Sequence, residues 1–129
     1  MTDTTPTDII GPGPGESRPG STVIYRFKLD ADCNPTNKIM FAMPRSGTSD
    51  GLHVDNDGRL WSAEYNSIVV RSSRGKGLSV FNVEQLVKDW EHSNPIVNFA
   101  LAGDKLIVLA GRTVWLVHLG MNVTTPAED

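Results

Sequence analysis

One carboxylate stands out by its position in the 129-residue sequence. Asp50 sits between Ser49 and Gly51, where a polar loop gives way to the strand-like Leu52-His53-Val54. A carboxylate beside glycine at the start of a strand can point into a shared central site. The same spacing also suits a simple turn aspartate. Gly47-Thr48-Ser49-Asp50-Gly51 matches the G-x-S-x-G nucleophile elbow, whose chemistry needs the serine on a sharp strand-to-helix turn. Here the chain runs on as a strand, so Ser49 lacks the helix that would make it a nucleophile. His53 to Gly58, followed by Glu64, is nearly a calcium loop, with Asp55, Asp57, Gly58 and Glu64 at ligand or turn positions. Its first position is His53 where a carboxylate is needed, and its flanks alternate as strands, so a polar hairpin turn explains it better. Asp30-Ala31-Asp32-Cys33-Asn34 fails as such a loop because Pro35 takes the glycine position. Gly11-Pro12-Gly13-Pro14-Gly15 has neither the preceding strand nor the following helix of a dinucleotide fingerprint. His53, His92 and His118 show no metal-ligand spacing, and the sequon Asn122-Val123-Thr124 matters only in a secreted chain.

The elements that must position Asp50 are short strands. Residues 1–21 hold Pro6, Pro12, Pro14 and Pro19 with Gly11, Gly13, Gly15 and Gly20, and read as a loop or linker. From residue 22 to residue 119, apolar runs alternate with turn signals. Runs are expected at 21–29, 38–43, 52–54, 59–65, 68–71, 78–83, 96–102, 105–110 and 112–119. Asp55-Asn56-Asp57-Gly58, Asn66-Ser67, Gly103-Asp104 and Gly111 supply turns between them. Val83, Leu86, Val87 and Trp90 fall at helical spacing, predicting one short surface helix with Asn82 as its N-cap. The runs Leu106 to Ala110 and Val114 to Val117 are continuously apolar, and should be buried on both faces within stacked sheets. Residues 120–129 read as a polar tail. The pattern is an all-β meander.

Composition narrows the function. Hydrophobic residues make up 39%, enough for a modest core, and the formal net charge of −3 speaks against nucleic-acid binding. No apolar run approaches the ~20 residues that span a bilayer. The first residues have neither the basic nor the apolar region of a secretory signal, and Cys33 is the single cysteine, so a cytoplasmic location is expected.

Residues 49–63, Ser-Asp-Gly-Leu-His-Val-Asp-Asn-Asp-Gly-Arg-Leu-Trp-Ser-Ala, resemble the P-D-G-x-x-V-D-x-x-G-x-L-W-x-A stretch of the SMP-30/gluconolactonase/LRE-like family. Ser49 stands where that family usually has proline. Thr22 to Asp32 is similar to the family's strand before a D-x-D-G turn, and Asn94-Pro95 with Ile96 to Ala102 to the strand opening a following blade. The resemblance implies the C-terminal part of a six-bladed β-propeller, about two and a half to three blades, since a closed ring needs roughly 250–270 residues.

The family's implied activity is hydrolysis of a sugar lactone or related ester, aided by a divalent cation, commonly Ca²⁺, in the central channel. By resemblance Asp50 is both metal ligand and general base, while Tyr65 and Asn66 are placed to line the approach to it and also suit turn and packing roles. The family's ligand glutamate has no counterpart here. Met1-Thr2-Asp3-Thr4 resembles the end of the strand that follows its ligand asparagine, so that residue would fall before residue 1. The expectation is therefore a truncated lactonase inactive in isolation. The alternative is a non-catalytic propeller fragment or interaction module that self-associates through open sheet edges, with no nucleic-acid or membrane partner.

Overall fold

The computed structural model describes residues 2–3, 23–82 and 95–124, and over these the chain is all-β. Ten strands follow in order: β1 (Thr2–Asp3), β2 (Val23–Leu29), β3 (Pro35–Ala42), β4 (Ser49–Val54), β5 (Leu60–Glu64), β6 (Ser67–Arg71), β7 (Gly77–Asn82), β8 (Ile96–Ala102), β9 (Lys105–Ala110) and β10 (Thr113–His118). They form three antiparallel sheets, β1-β2-β3, β4-β5-β6-β7 and β8-β9-β10, each strand pairing with its neighbour in sequence. Three successive meander sheets are the architecture of a partial β-propeller. The helix expected from Val83 to Trp90 lies outside the described residues.

Local chemistry explains where strands start and stop. The Asp30 carboxylate accepts the N–H of Asn34 at 2.8 Å and of Asp32 at 3.0 Å, closing the β2–β3 turn. This lets β3 begin at Pro35, ahead of the expected Lys38, because proline is tolerated as the first residue of a strand. Between β4 and β5, the Gly58 N–H donates to the Asp55 carbonyl at 2.9 Å, and Gly58 has φ of 72°, a left-handed value that glycine adopts without strain. Thr2–Asp3, inside the stretch read as a loop, form a short strand, Thr2 opposite Ile24 and Asp3 opposite Val23.

The second sheet is the centre of the described fold, with β6 buried throughout and β5 buried from Trp61 to Glu64. One of its faces, carrying Trp61, Ala63, Ile68 and Val70, shares a core with Phe99, Leu101, Leu106, Val108 and Ala110 of the third sheet. Removing this apolar surface from water is the main force holding the two sheets together. Trp61 stacks on Phe81 with ring centroids 5.4 Å apart. Val123 is also in this core, although it lies in the stretch read as a polar tail. Backbone bonds from Val123 to Gly103 and from Asn56 to Thr124 hold that segment against both sheets. The first sheet meets the second more loosely, through Arg26 Nη1 donating to the Ser73 carbonyl at 3.1 Å. A cavity of about 470 Å³ between these two sheets is lined mainly by apolar side chains, among them Phe27, Phe41, Leu52 and Leu60.

Neither apolar run of the third sheet is buried on both faces: in β9, Leu109 is 42% exposed and Ile107 only half-buried. The other face of β9, carrying Leu106, Val108 and Ala110, is buried. In β10, Val114 is 64% and Leu116 55% exposed, which corrects the expectation of burial on both faces. The reason is topological: β10 is the last strand of a three-stranded sheet, and no described strand covers its outer edge or its second face.

Candidate functional site

Asp50 lies on a β-bulge. Ser49 pairs with Glu64 and Leu52 with Ser62, so Asp50 and Gly51 together oppose the single residue Ala63. An inserted residue re-aims the side chains around it. Asp50 is exposed, whereas its neighbour Ser49 is only 2% exposed. A second bulge occurs on the adjacent strand β8, where Ile96 pairs with Ala110 and Asn98 with Leu109. The two bulged segments touch: a Cβ built on Gly51 would lie 3.0 Å from the Asn98 Cα and closer still to its amide oxygen. Only a residue without a side chain allows β4 and β8 to approach so closely at this point. Asn98, exposed and packed against Gly51, is a polar group that the motif reading missed. Its sequence signal was slight, since a bulge leaves no mark in strand periodicity.

The segment delivering Asp50 is fastened to a buried charge cluster on the other face of the second sheet. Glu64 is fully buried, and Arg71 is 5% exposed. Arg71 Nη1 lies 2.5 Å from Glu64 Oε1. The Ser62 hydroxyl donates to the same oxygen at 2.6 Å. The other carboxylate oxygen accepts the backbone N–H of Arg45 at 2.6 Å. Arg71 Nη2 donates to the Met43 carbonyl at 3.0 Å. The connection between the first and second sheets is thereby pinned at residues 43 and 45, shortly before Asp50. Sequence reasoning overlooked this cluster because its members are spread over separate segments, and Glu64 stood out only as the last position of the calcium-loop pattern.

Tyr65 and Asn66 form the β5–β6 turn at the same end of the sheet as Ser49 and Asp50. Tyr65 has φ of 51°, and its carbonyl accepts the Ile96 N–H at 2.7 Å, joining the turn to the start of β8. The Ser46 hydroxyl lies within hydrogen-bonding reach of the Glu64 carbonyl at 3.1 Å and of Asn66 Oδ1 at 3.3 Å. The structure therefore gathers Asp50, Tyr65, Asn66 and Asn98 at one end of adjoining sheets.

Other motifs resolve into structural roles. The Asp55 carboxylate, in a residue 1% exposed, accepts the Trp61 indole N–H at 2.8 Å, Arg59 Nε at 2.7 Å and the backbone N–H groups of Asp57 and Arg59 at 2.9 Å. Burial alone would raise its pKa, but these bonds, the indole's foremost, together hold the carboxyl below its ordinary range. A carboxylate so fully engaged is a turn lock, not a calcium ligand. Ser49 leads along a strand, and its hydroxyl is buried without a hydrogen-bond partner, so the elbow reading fails on access as well as on the missing helix. His53 packs edge-on against Phe99 at 4.8 Å. Among the described residues no group of three or more His, Cys, Asp or Glu side chains is placed to hold a metal ion. No helix among them is long and apolar enough to cross a membrane.

No protein-family model and no curated protein matches the chain. A solved structure of a candidate gluconolactonase superposes on it with a TM-score of 0.64 at 18% sequence identity. The match covers 82% of this chain and 34% of that one, so the chain spans about a third of its neighbour's length. At this identity the likeness is one of fold. It agrees with three antiparallel sheets forming part of a propeller, with Asp50 on the first strand of the four-stranded sheet.

Proposed function

We propose that this chain carries one wall of the site of a gluconolactonase-like, metal-dependent lactone hydrolase, and that its 129 residues alone do not turn over substrate. The reading is carried by Asp50, an exposed carboxylate in a bulge at the end where the loops of adjoining sheets converge. Asp50 would be a cation ligand and the group that accepts a proton from water, toward a sugar lactone or related ester. Tyr65, Asn66 and Asn98 would border the approach. The described residues do not fit a complete cation site. Ca²⁺ takes six to eight oxygen ligands, and among the described residues no group of three or more acids, histidines or cysteines is placed to hold an ion. The missing ligands would have to come from beyond the described residues, as the partial coverage of the solved neighbour also suggests.

A Ca²⁺ titration followed by NMR tests the ligand role. Weak binding, on the order of millimolar, should shift the amides of Gly51 and Asn98, and Asp50→Asn should abolish the shifts. Equal shifts in both proteins would remove Asp50 from the site. Ca²⁺-dependent lactone hydrolysis by the pure chain, lost in Asp50→Asn, would instead overturn the proposed inactivity. A non-catalytic interaction module is the second reading, favoured by the open outer edge of β10.

A further inference from the structure

The outer edge of the third sheet differs from the other two outer edges. β3 begins with Pro35, contains Lys38, and pairs with β2 through two register shifts. β7 pairs with β6 through a shift at its Gly77 end. Proline, lysine and bulges are the usual devices that stop a sheet edge from recruiting another strand. β10 has none of them. It pairs with β9 at six successive positions without a shift, and Thr113 to His118 contains no Lys, Arg, Asp or Glu. Its sequence, Thr-Val-Trp-Leu-Val-His, has the continuously apolar character of a strand with a neighbour on both sides, as β6 is. Yet Val114 and Leu116 stand open to solvent, continuing a partly exposed face from Ile107 and Leu109 of β9, which lie opposite them.

The geometry points to a second copy of this chain as the partner of β10, paired antiparallel to it. Two identical strands can meet this way about a two-fold axis normal to the sheet, giving an isologous contact. Such an axis keeps each residue on its own face, so the register must centre on a residue. Centred on Trp115, it sets Val114 opposite the second copy's Leu116, and Thr113 opposite its Val117. Every exposed apolar residue of the edge then gains an apolar cross-strand partner. The backbone groups of the edge are satisfied at the same time, as in other strand-addition interfaces. The result is a continuous six-stranded sheet built from β8, β9 and β10 of both copies.

Sedimentation velocity of the full chain over a range of concentrations tests this. The wild type should form a dimer. Val114→Lys combined with Leu116→Lys places like charges across the two-fold axis and should weaken the dimer at least tenfold. Leu78→Lys, at an exposed site on the β7 edge, should leave it unchanged. A wild type that stays monomeric throughout would overturn the inference. So would a double variant that associates as well as wild type, or an equal loss in Leu78→Lys. Should the double variant misfold, amide exchange in the wild type decides: protection across 113–118 must rise with concentration while that of 77–82 does not, and unchanged protection in β10 refutes the pairing.

Discussion

Glu64→Gln and Arg71→Met probe the buried cluster that pins the approach to Asp50. Each single change strands a charge. With Gln at 64, the Arg71 guanidinium keeps Ser62 Oγ and the Met43 carbonyl but loses its counter-ion. With Met at 71, the Glu64 carboxylate keeps the Ser62 hydroxyl and the Arg45 N–H but is left buried and unneutralised. Removing one partner of a buried pair costs about 3–5 kcal/mol. That is a large share of a typical domain stability of about 5–15 kcal/mol. The double variant buries no charge, so it should cost no more than the worse single, which makes the coupling about 3 kcal/mol. Urea unfolding followed by far-UV circular dichroism measures all three, and each single should lower the midpoint by at least about 1 M. Because Met43 loses its anchor in Arg71→Met and Arg45 loses its carboxylate partner in Glu64→Gln, amide exchange from 45 to 50 should also quicken beyond what the global loss explains. Additive costs, or a Glu64→Gln midpoint within about 0.3 M of wild type, would show that the cluster does not act as a unit.

Asp55→Asn should cost about 2–4 kcal/mol, read as a lowered melting temperature, because it disturbs four hydrogen bonds including the Arg59 ion pair. Its lowered pKa also fixes a sign: the stabilisation is complete above the ordinary carboxylate range near about pH 4, and is lost as pH falls through the depressed folded value. Acid titration of the wild type should therefore show a loss that is shallower in Asp55→Asn. Gly51→Ala should destabilise and disturb the Asn98 amide resonances, since the new methyl meets the β8 backbone. Gly58→Ala has open space around it but a positive φ, so a loss of about 1 kcal/mol from backbone strain alone is expected in urea unfolding. Asp50→Asn, at an exposed side chain, should change the unfolding free energy by less than about 0.5 kcal/mol.

Strand periodicity and turn residues made the meander legible, because both act over a few residues. Asp55-Asn56-Asp57-Gly58 turns where its composition says it should, and Gly103-Asp104 does likewise. The starts of β3 and β4 were harder. β3 depends on Asp30 folding back on Asn34, and β4 on a bulge at Asp50-Gly51 that alternation cannot encode. The exposure of β10 was misjudged because an apolar run reports what a strand could bury, not what lies beside it. Asp50 itself was visible only through the resemblance of residues 49–63, since its local spacing also fits a turn. Asn98 and the Glu64–Arg71 cluster come from segments far apart in sequence, and only the sheet pairing brings them near the Asp50 segment.

The distribution of polar groups sets what the site can do. Three carboxylates bear on it, and two are committed. Asp55 is saturated by four donors at one end of β4, and Glu64 by the cluster under the 43–46 connection. Both fix backbone, because each is buried with both oxygens already accepting hydrogen bonds and is closed to a substrate. Asp50 is the exception, exposed in a bulge that adjoins a second bulge. Of these three, the fold thus leaves only Asp50 available among the described residues, which on the proposed reading would position one ligand or one base but not retain a cation. On the proposed reading, tight cation binding depends on whatever chain completes the ring of sheets, whereas the position of Asp50 does not. Adding such a chain should strengthen binding by supplying oxygens, while leaving the β4–β8 contact at Gly51 and Asn98 unchanged. A shift of that contact on completion would mean that the site is formed by closure instead of being prepared in these residues.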